Sequence, residues 1–287
     1  MRSGKVWTLI LLAALVAGGS ALAVWQRTAA NRDGDNPRAH CVVAGTSMIA
    51  SALNSLAGDR LEVHLLAPPG QCPGHFDLKP DDFRAIVRSE ALFRHDFQDH
   101  IDAKLQNTGG ARTIVELPTA GPQTIPDNYL KLCEDVAANL CKLYPGLRPQ
   151  VQGNLLTLRQ SLSALSDEMQ RLAAPLSGQP VVASSFQKAF CAWLGMRTVG
   201  AFDRAEEMGL RDLQGLIRRG RDADAVAVVG NLQRGAKEGE PVARGLGVPL
   251  VLLSNFPLEP DRSDAYAHLL EGNVRRLLEA CHGADGG

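Results

Sequence analysis

The sequence predicts an α/β fold in which two lobes, each built on a parallel β-sheet, are joined by one long helix, with a ligand cleft between them. From residue 40 onward, short apolar runs alternate with segments of helical periodicity, which is typical of parallel sheets covered by helices on both faces. A longer amphipathic pattern from Leu155 to Leu172 interrupts this alternation and ends at Pro175 and Gly178. The alternation then resumes, so the long helix separates two similar halves.

The first half, residues 39–147, contains four apolar runs that predict strands, followed by helical patterns. The predicted strands span 40–44, 61–66, 91–94 and 112–117, and the predicted helices span 48–56, 81–89, 99–105 and 127–143. Ser47 is expected to cap the helix that begins at Met48, and Gly58 to end it. Between the second strand and the second helix, residues 67–74 hold three prolines and two glycines, which exclude regular structure and predict a shaped loop.

The second half, residues 178–287, repeats the pattern after the connecting segment 148–177. Its predicted strands span 181–183, 198–202, 225–229 and 249–253, and its predicted helices span 185–194, 209–219, 235–246 and 262–281, with Gly239 breaking the third helix. Ligands of such sheets lie beyond the carboxyl ends of the strands. Two facing lobes would therefore place a small-molecule site in the cleft between them.

The N-terminus carries an export signal. Arg2 and Lys5 precede an apolar run over residues 6–23, and Ala21-Leu22-Ala23 supplies the small-residue pattern that signal peptidase accepts. Residues 1–25 are either a cleaved signal peptide or an uncleaved membrane anchor. Both alternatives export the rest of the chain, so we expect a periplasmic or extracytoplasmic protein. Residues 26–38 are predicted to be a flexible linker, and only the N-terminal segment is expected to meet the membrane.

Composition and motifs exclude several functions. Apolar residues make up 45% of the chain, charged residues 21%, and the formal net charge is -1, as in ordinary globular proteins. This balance gives no electrostatic footprint for nucleic acid, so no nucleic-acid partner is expected. The sequence has no GxSxG, HExxH or phosphate-binding glycine loop. We therefore expect a binding protein and not an enzyme.

Six cysteines are present, and export permits disulfides, up to three bridges in any of 15 pairings. Cys133 and Cys141 lie about 12 Å apart along one predicted helix, too far for a mutual bridge. Each is free to pair elsewhere, but buried free thiols are favoured at these two positions.

Four segments follow one another in an order and spacing that resemble the metal-binding class of ABC-transporter solute-binding proteins. They are the run 42–49 followed by 58–63, the loop 68–82 with Pro68-Pro69-Gly70 and Pro73-Gly74-His75, the long helix, and the strands of the second half. The resemblance covers roughly residues 40–280. It implies two α/β lobes with limited hinge motion, a zinc- or manganese-type ion held between them by histidines and a carboxylate, and delivery of that ion to a permease.

The resemblance also implies positions for the metal ligands. His75 matches the first family histidine, and the second precedes the helix that here follows Pro126, where Asp127 offers an oxygen donor or a helix cap. The third family histidine corresponds to Ser184, and the family carboxylate falls near Ser254 and Asn255. The family's own ligand types are therefore replaced at three of the four positions.

The chain offers substitute ligands close to these positions. Cys72 lies three residues before His75 in the same loop, and a thiolate and an imidazole suit one soft metal, although a disulfide or a packing role is the alternative for Cys72. His95 follows the third predicted strand and is expected to face the cleft. The predicted metal ligands are His75, Cys72, Asp127 and His95, and the predicted polar residues of the ligand cleft are Ser47, Ser184, Gln187 and Asn255.

These observations predict an extracytoplasmic solute-binding protein that captures a divalent transition metal ion, zinc or manganese, and delivers it to an ABC permease. The alternative is the same fold holding a metal chelate or a small organic molecule. Adhesion by a related extracellular protein is a further alternative that the sequence does not separate from transport.

Overall fold

The structure, a computed structural model, describes residues 39–105, 113–203 and 208–282. The predicted signal or anchor over residues 1–25 and the linker over residues 26–38 lie outside these ranges, as does Arg112 at the predicted start of the fourth strand. Within the described part of the chain, no helix combines the length and the apolar character needed to cross a membrane.

The first lobe is built on a four-stranded parallel sheet with strand order β2-β1-β3-β4. Its strands are β1 (His40–Ala44), β2 (Leu61–Leu65), β3 (Ala91–His95) and β4 (Thr113–Leu117), and its helices are α1 (Ser47–Ala57), α2 (Pro80–Arg88), α3 (His100–Leu105) and α4 (Pro126–Leu143). Central strands β1 and β3 pair in parallel, with Val43 opposite Leu92. Both residues are almost fully buried, which explains why these strands read as continuous apolar runs.

The second lobe repeats this arrangement with strand order β6-β5-β7-β8, again all parallel. The helix α5 (Arg148–Leu172) connects the lobes, and the second lobe contains β5 (Pro180–Ser184), β6 (Arg197–Phe202), β7 (Ala227–Asn231), β8 (Leu250–Leu253), α6 (Lys188–Trp193), α7 (Leu210–Asp222), α8 (Glu240–Leu246) and α9 (Ala265–His282). The predicted fold class of two parallel-sheet lobes joined by one long helix is confirmed.

Two details of the second lobe differ from the sequence expectation. Strand β7 starts two residues later than predicted, because the Ala225 N–H donates to the carbonyl of Gly220 and so completes the end of α7. The strand also ends two residues later than predicted, on the polar residue Asn231. The predicted helix over residues 235–246 is divided by Gly239 into a 3₁₀ turn, Ala236–Glu238, and the α-helix α8.

Two predicted helix caps are wrong. Thr46, and not Ser47, occupies the N-cap of α1: its backbone is extended and its Oγ1 accepts the Ile49 N–H at 3.3 Å. At α4, Pro126 takes the first helical position and Ile125 the N-cap position, so Asp127 lies inside the first turn and is exposed. Proline fits there because its missing N–H would have no helical partner in any case.

One hydrophobic core runs through both lobes and the connecting helix. Its buried members include Val42, Leu53, Leu162, Val181 and Leu270. Smaller clusters cover the outer face of each sheet, around Leu92 in the first lobe and Val228 in the second.

An aromatic stack joins the lobes across this core. The rings of Tyr129 in α4 and Tyr266 in α9 are nearly parallel, with centroids 3.9 Å apart and an angle of 4° between the ring planes. Both tyrosines are buried, so the contact ties a helix of the first lobe to a helix of the second.

The buried cysteines are thiols. Cys133, Cys141 and Cys191 are free and buried, as favoured for the first two from the sequence, and Cys41 and Cys72 are free and partly buried. Burial in apolar surroundings raises the pKa of Cys133 and of Cys191 to about 12. These two cysteines are therefore inert packing residues near neutral pH.

Two helical glycines provide a matched test of the packing between α7 and α8. A Cβ on Gly220 in α7 would lie 2.8 and 2.9 Å from the two methyl carbons of Leu246, and 3.2 Å from a methyl of Val182. A Cβ on Gly153, on the exposed side of α5, meets nothing within 4 Å among the described residues.

Because overpacking outweighs the gain in helix propensity, we expect Gly220→Ala to lower the free energy of unfolding by about 2 kcal/mol. Gly153→Ala should raise it by roughly 0.5 to 1 kcal/mol. Urea unfolding of both variants measures the two changes. A Gly220→Ala protein as stable as the parent would contradict the close approach of the two helices.

Candidate ligand-binding cleft

A cavity of about 450 Å³ lies between the two lobes, near the carboxyl ends of their strands. The first lobe lines it with Cys72, Pro73, Gly74, His75, Phe97, Thr119 and Gln123, and the second lobe with Phe186, Asn231, Gln233, Arg234, Asn255 and Phe256. A larger depression of about 720 Å³ lies along α5 and α9, and residues of α1 and the tyrosines Tyr129 and Tyr266 also line it. The inter-lobe cavity holds the predicted site residues and is the candidate site.

Two consecutive turns shape the loop that carries the predicted metal ligands. The Gln71 N–H donates to the carbonyl of Pro68 at 3.1 Å, and Gly70 within this turn has a φ of 90°, which suits the glycine position of a type II turn. The His75 N–H then donates to the carbonyl of Cys72 at 3.0 Å, which closes the second turn. As a result, Cys72 Sγ and His75 Nδ1 lie 3.5 Å apart beside the cavity.

Neighbouring side chains hold this loop in place. Phe76 is buried in the outer cluster of the first lobe, directly after His75. The Gln98 amide donates to the carbonyls of Gly45 at 3.0 Å and Pro73 at 3.5 Å. The two turns are therefore anchored to the end of β1 as well as to the core.

Phe97 forms the next part of the first-lobe wall. Its side chain is 44% exposed and stacks on His95, with ring centroids 5.0 Å apart. Asp96 fixes the backbone here: its carboxylate accepts the Thr119 N–H at 3.0 Å, the Thr119 hydroxyl at 2.7 Å and the Phe97 N–H at 2.9 Å. Burial alone would raise the pKa of Asp96, but these hydrogen bonds favour the carboxylate and lower the pKa overall.

His95 is fully buried at the end of β3. Its ring Nε2 lies 3.2 Å from Thr46 Oγ1, and ring Nδ1 finds no hydrogen-bond partner among the described residues. The backbone N–H of His95 donates to Gln98 Oε1 at 3.2 Å. Burial lowers the pKa of His95 to about 4, so the imidazole is neutral near pH 7. His95 contacts the cavity-lining Phe97 and does not itself belong to the described lining.

The second lobe contributes an aromatic ring and a cation. Phe186, two residues after the end of β5, is 46% exposed. The guanidinium carbon of Arg234 lies 5.1 Å from the centre of the Phe186 ring, within the range of a cation–π contact. Arg234 also pairs with Glu238 at 3.6 Å, and both side chains are largely buried.

A chain of amides organises the end of β8. Gln187 Nε2 donates to Asn255 Oδ1 at 2.8 Å and to the carbonyl of Leu253 at 3.2 Å. The Asn255 N–H donates to Gln233 Oε1 at 3.1 Å, and Gln233 Nε2 donates to Ser254 Oγ at 2.9 Å. The second-lobe wall thus presents amide groups at the position where the sequence analysis found the family carboxylate replaced by Ser254 and Asn255.

Several buried oxygen atoms at these strand ends are unsatisfied. Ser184 Oγ, Gln187 Oε1, Asn231 Oδ1 and, in the first lobe, Ser47 Oγ have no hydrogen-bond partner within the described ranges. Buried polar atoms without partners are uncommon in folded proteins and deserve a functional explanation. Their position at the carboxyl ends of β1, β5 and β7 agrees with a polar ligand site.

The structure brings together some of the predicted site residues. Cys72, His75 and Asn255 line one cavity, and Gln187 Nε2 donates a hydrogen bond to Asn255 Oδ1. Ser47 and Ser184 are buried at strand ends, and neither Asp127 nor His95 is among the described residues that line the cavity. Ligand binding by all eight residues stays a prediction.

Sequence reasoning missed the aromatic and cationic parts of the wall. Phe97, Phe186 and Arg234 follow the ends of β3, β5 and β7 by two, two and three residues. Scanning for large side chains within three residues of each predicted strand end would have found Phe97 and Phe186, because such positions face the cleft in a parallel sheet. Arg234 would have been missed, because the predicted end of its strand, residue 229, lies two residues before the observed end.

The described residues contain no group of three or more histidine, cysteine, aspartate or glutamate side chains arranged to hold a metal ion. The Cys72–His75 pair is therefore the densest set of metal donors on the cavity wall. A tetrahedral zinc site takes four donors, of which this pair supplies two.

Two facing parallel-sheet lobes joined by one long helix, with a cavity at the strand ends, match the two-lobed binding-protein architecture that the sequence predicts. The family model described as zinc-uptake complex component A, periplasmic (ZnuA) matches residues 42–280. The chain belongs to this family. Its members are transport proteins, which confirms the expectation of a binding protein and not an enzyme.

Individual relatives agree with this assignment. The manganese ABC transporter substrate-binding lipoprotein PsaA of Streptococcus anginosus is 26% identical over 95 residues, a match that covers 33% of this chain and 28% of PsaA. The chain therefore spans less than a third of that relative in the match.

Solved structures share the fold. The periplasmic zinc-binding protein TroA from Treponema pallidum aligns with a TM-score of 0.71 at 17% identity, over 85% of this chain and 99% of TroA. The solute-binding protein FpvC from Pseudomonas aeruginosa, solved with a Ni²⁺ ion, aligns with a TM-score of 0.70 at 15% identity, over 88% of this chain and 99% of FpvC. At these identities the likeness shows the two-lobed fold.

Proposed function

We propose that this protein is the extracytoplasmic solute-binding component of an ABC uptake system, that it captures a divalent transition metal ion, zinc or manganese, in the inter-lobe cleft, and that it delivers the ion to a permease. Membership of the zinc-uptake family supports the proposal, as do a manganese-transporter relative and a zinc-binding structural neighbour. The observation that carries it is the pairing of Cys72 Sγ and His75 Nδ1 at 3.5 Å beside the cavity.

The distance between these two donors suits a shared metal ion. Zinc lies about 2.3 Å from a thiolate sulfur and about 2.1 Å from an imidazole nitrogen, so two such donors on a tetrahedral ion are about 3.6 Å apart. The observed separation of 3.5 Å is close to this value. A sulfur donor also favours zinc over manganese, which prefers oxygen.

Further ligands are needed to complete the coordination. Asp127 and His95 remain the predicted protein donors, since Asp127 offers an exposed carboxylate and His95 an imidazole nitrogen that has no partner among the described residues. Neither lines the cavity, so coordination by them requires local movement. Ser47, Ser184, Gln187 and Asn255 are proposed to form the polar surroundings of the ion.

Calorimetric titration of the metal-free protein tests the proposal. We expect zinc to bind, and we expect His75→Ala and Cys72→Ser each to weaken its binding at least about tenfold, because each removes one of the two paired donors. His268→Ala, a change of an exposed histidine on α9, is the control and should leave zinc binding unchanged.

Failure to bind any divalent ion would sink the metal proposal. Zinc binding that survives both His75→Ala and Cys72→Ser would move the site elsewhere. Delivery is tested separately by measuring zinc and manganese uptake in cells with and without the gene for this protein, where loss of the gene should slow uptake of the captured ion.

A further inference from the structure

The inter-lobe cavity is large for a single ion. Its volume of about 450 Å³ falls within the range of about 300–1,000 Å³ that is typical of small-molecule sites. The cysteine and histidine that suit a metal occupy only one part of the lining. Metal binding by this pair leaves the rest of the cavity wall without a role.

That wall is aromatic on both sides. Phe97 from the first lobe and Phe186 from the second are 44% and 46% exposed, and Phe256 also lines the cavity. One face of each ring is occupied, by His95 at Phe97 and by the Arg234 guanidinium at Phe186. The exposed remainder of each ring offers aromatic surface to a flat ligand, which gains from aromatic contact as well as from burial. A hydrated metal ion makes no use of such surfaces.

The positive charge of Arg234 on the cavity wall also favours an organic ligand over a bare metal ion. The Arg234 guanidinium lies over Phe186 and its side chain is 16% exposed, so its charge is held at the cavity by packing. Glu238 lies 3.6 Å away and offsets part of this charge, but the Arg234 Nε finds no hydrogen-bond acceptor in the described part of the chain. A fixed cation repels a bare dication and attracts a carboxylate or sulfonate.

Asn231 adds a polar anchor to the same cavity. It lines the cavity and is only 3% exposed, and its Oδ1 has no hydrogen-bond partner within the described residues. A buried carbonyl oxygen of this kind gains a hydrogen bond when a ligand presents a hydroxyl or N–H group.

We propose that the solute is a divalent metal ion already bound to a small anionic chelator with a flat aromatic ring. Cys72 and His75 take two coordination positions of the metal, and the chelator takes the others. Phe97 and Phe186 stack against the ring, and Arg234 binds the anionic group. This inference rests on the proposed function, because it assigns the form in which the captured metal arrives.

The zinc complex of 8-hydroxyquinoline-5-sulfonate is a suitable probe, because it combines a chelated metal, a flat ring and an anionic group. The full-length protein is titrated with zinc alone, with the 1:1 zinc complex and with the metal-free chelator. We expect the complex to bind at least about tenfold more tightly than either component, since only the complex satisfies both the donor pair and the aromatic, cationic wall.

Variants separate this inference from the proposed function. Phe186→Ala and Arg234→Gln should each weaken binding of the complex about tenfold, whereas neither should weaken binding of zinc alone. His75→Ala should weaken both. Arg244→Gln is the matched control, because Arg244 also pairs with a glutamate four residues away, Glu240 at 2.7 Å, but does not line the cavity in the described structure.

The outcomes are distinct. Zinc alone binding as tightly as the complex, with no effect of Phe186→Ala or Arg234→Gln, would overturn the chelate inference and leave the proposed function standing. Metal-free chelator binding as tightly as the complex would also overturn the inference. If neither zinc nor its complex binds, the proposed function fails as well. Circular dichroism checks that each variant is folded. If Phe186→Ala does not fold, Arg234→Gln alone tests the inference.

Discussion

Replacing Asn273 with alanine is expected to lower the free energy of unfolding by about 3 kcal/mol, because it leaves two buried backbone groups without partners. Asn273 lies in α9 and is fully buried. Its Oδ1 accepts the Ser254 N–H at 3.0 Å and its Nδ2 donates to the Ser254 carbonyl at 2.8 Å. This reciprocal pair fixes the chain where it leaves β8, directly before the cavity-lining Asn255.

Asn139→Ala is the matched control for this prediction. Asn139 is also a helical asparagine, but it is partly exposed and its amide donates only to the carbonyl of Asp135, one turn earlier. Both substitutions give the same gain in helix propensity, so their difference isolates the buried hydrogen bonds. We expect Asn139→Ala to change stability by less than about 0.5 kcal/mol. Urea unfolding that places Asn273→Ala within 1 kcal/mol of the parent would contradict the role of the pair.

Acid is expected to remove about 3 kcal/mol of stability between pH 6.5 and pH 4 through His95 alone. Burial lowers the pKa of His95 from 6.5 to about 4 in the folded protein. In this window the unfolded chain binds a proton that the folded chain does not bind. The contribution is therefore complete above pH 6.5, falls as the pH drops, and levels off below pH 4.

Urea unfolding at a series of pH values, for the parent protein and for His95→Gln, checks this prediction. The slope of stability against pH between pH 6.5 and pH 4 should be clearly smaller in His95→Gln. Some slope should remain, because burial also lowers the pKa of His100 and its effect has the same sign. Equal slopes in the parent and His95→Gln would show that His95 is not buried in the neutral form.

The fold was predictable because its signals are local. A central strand of a parallel sheet is buried on both faces, so Val42-Val43-Ala44 and Val181-Val182-Ala183 appear as uninterrupted apolar runs. The connecting helix was predicted from the helical spacing of its apolar stripe between Leu155 and Leu172, and the observed helix, Arg148–Leu172, ends at the same residue and begins seven residues earlier. Details that depend on tertiary contacts were less accessible. Two neighbouring hydroxyl residues compete to cap α1, and Thr46 takes the cap while its Oγ1 also contacts His95 across the lobe.

In the candidate site, too, the parts formed by local sequence were predictable and the parts formed by tertiary contacts were not. The loop with Cys72 and His75 was predictable, since its prolines and glycines form turns within eight residues. The ring faces of Phe97 and Phe186 were not, because they belong to different lobes and share a cavity only after the lobes pack together. The second-lobe amide network was not predictable either. It joins Gln187, Gln233 and Asn255, which follow the ends of β5, β7 and β8 and are remote from one another in sequence.

The stacked rings of Tyr129 and Tyr266 bear on how a permease would distinguish the solute-loaded protein from the empty one. They clamp the two halves together on a buried surface that also includes the continuous core. A protein held in this way is poorly suited to signal a bound solute by swinging its halves through a wide angle. In the proposed uptake role, the permease would instead sense a loaded protein through small shifts of side chains and loops at the rim, such as the Cys72–His75 turn. Discrimination between the empty and loaded forms would then depend on surface detail near the cleft mouth and not on overall shape.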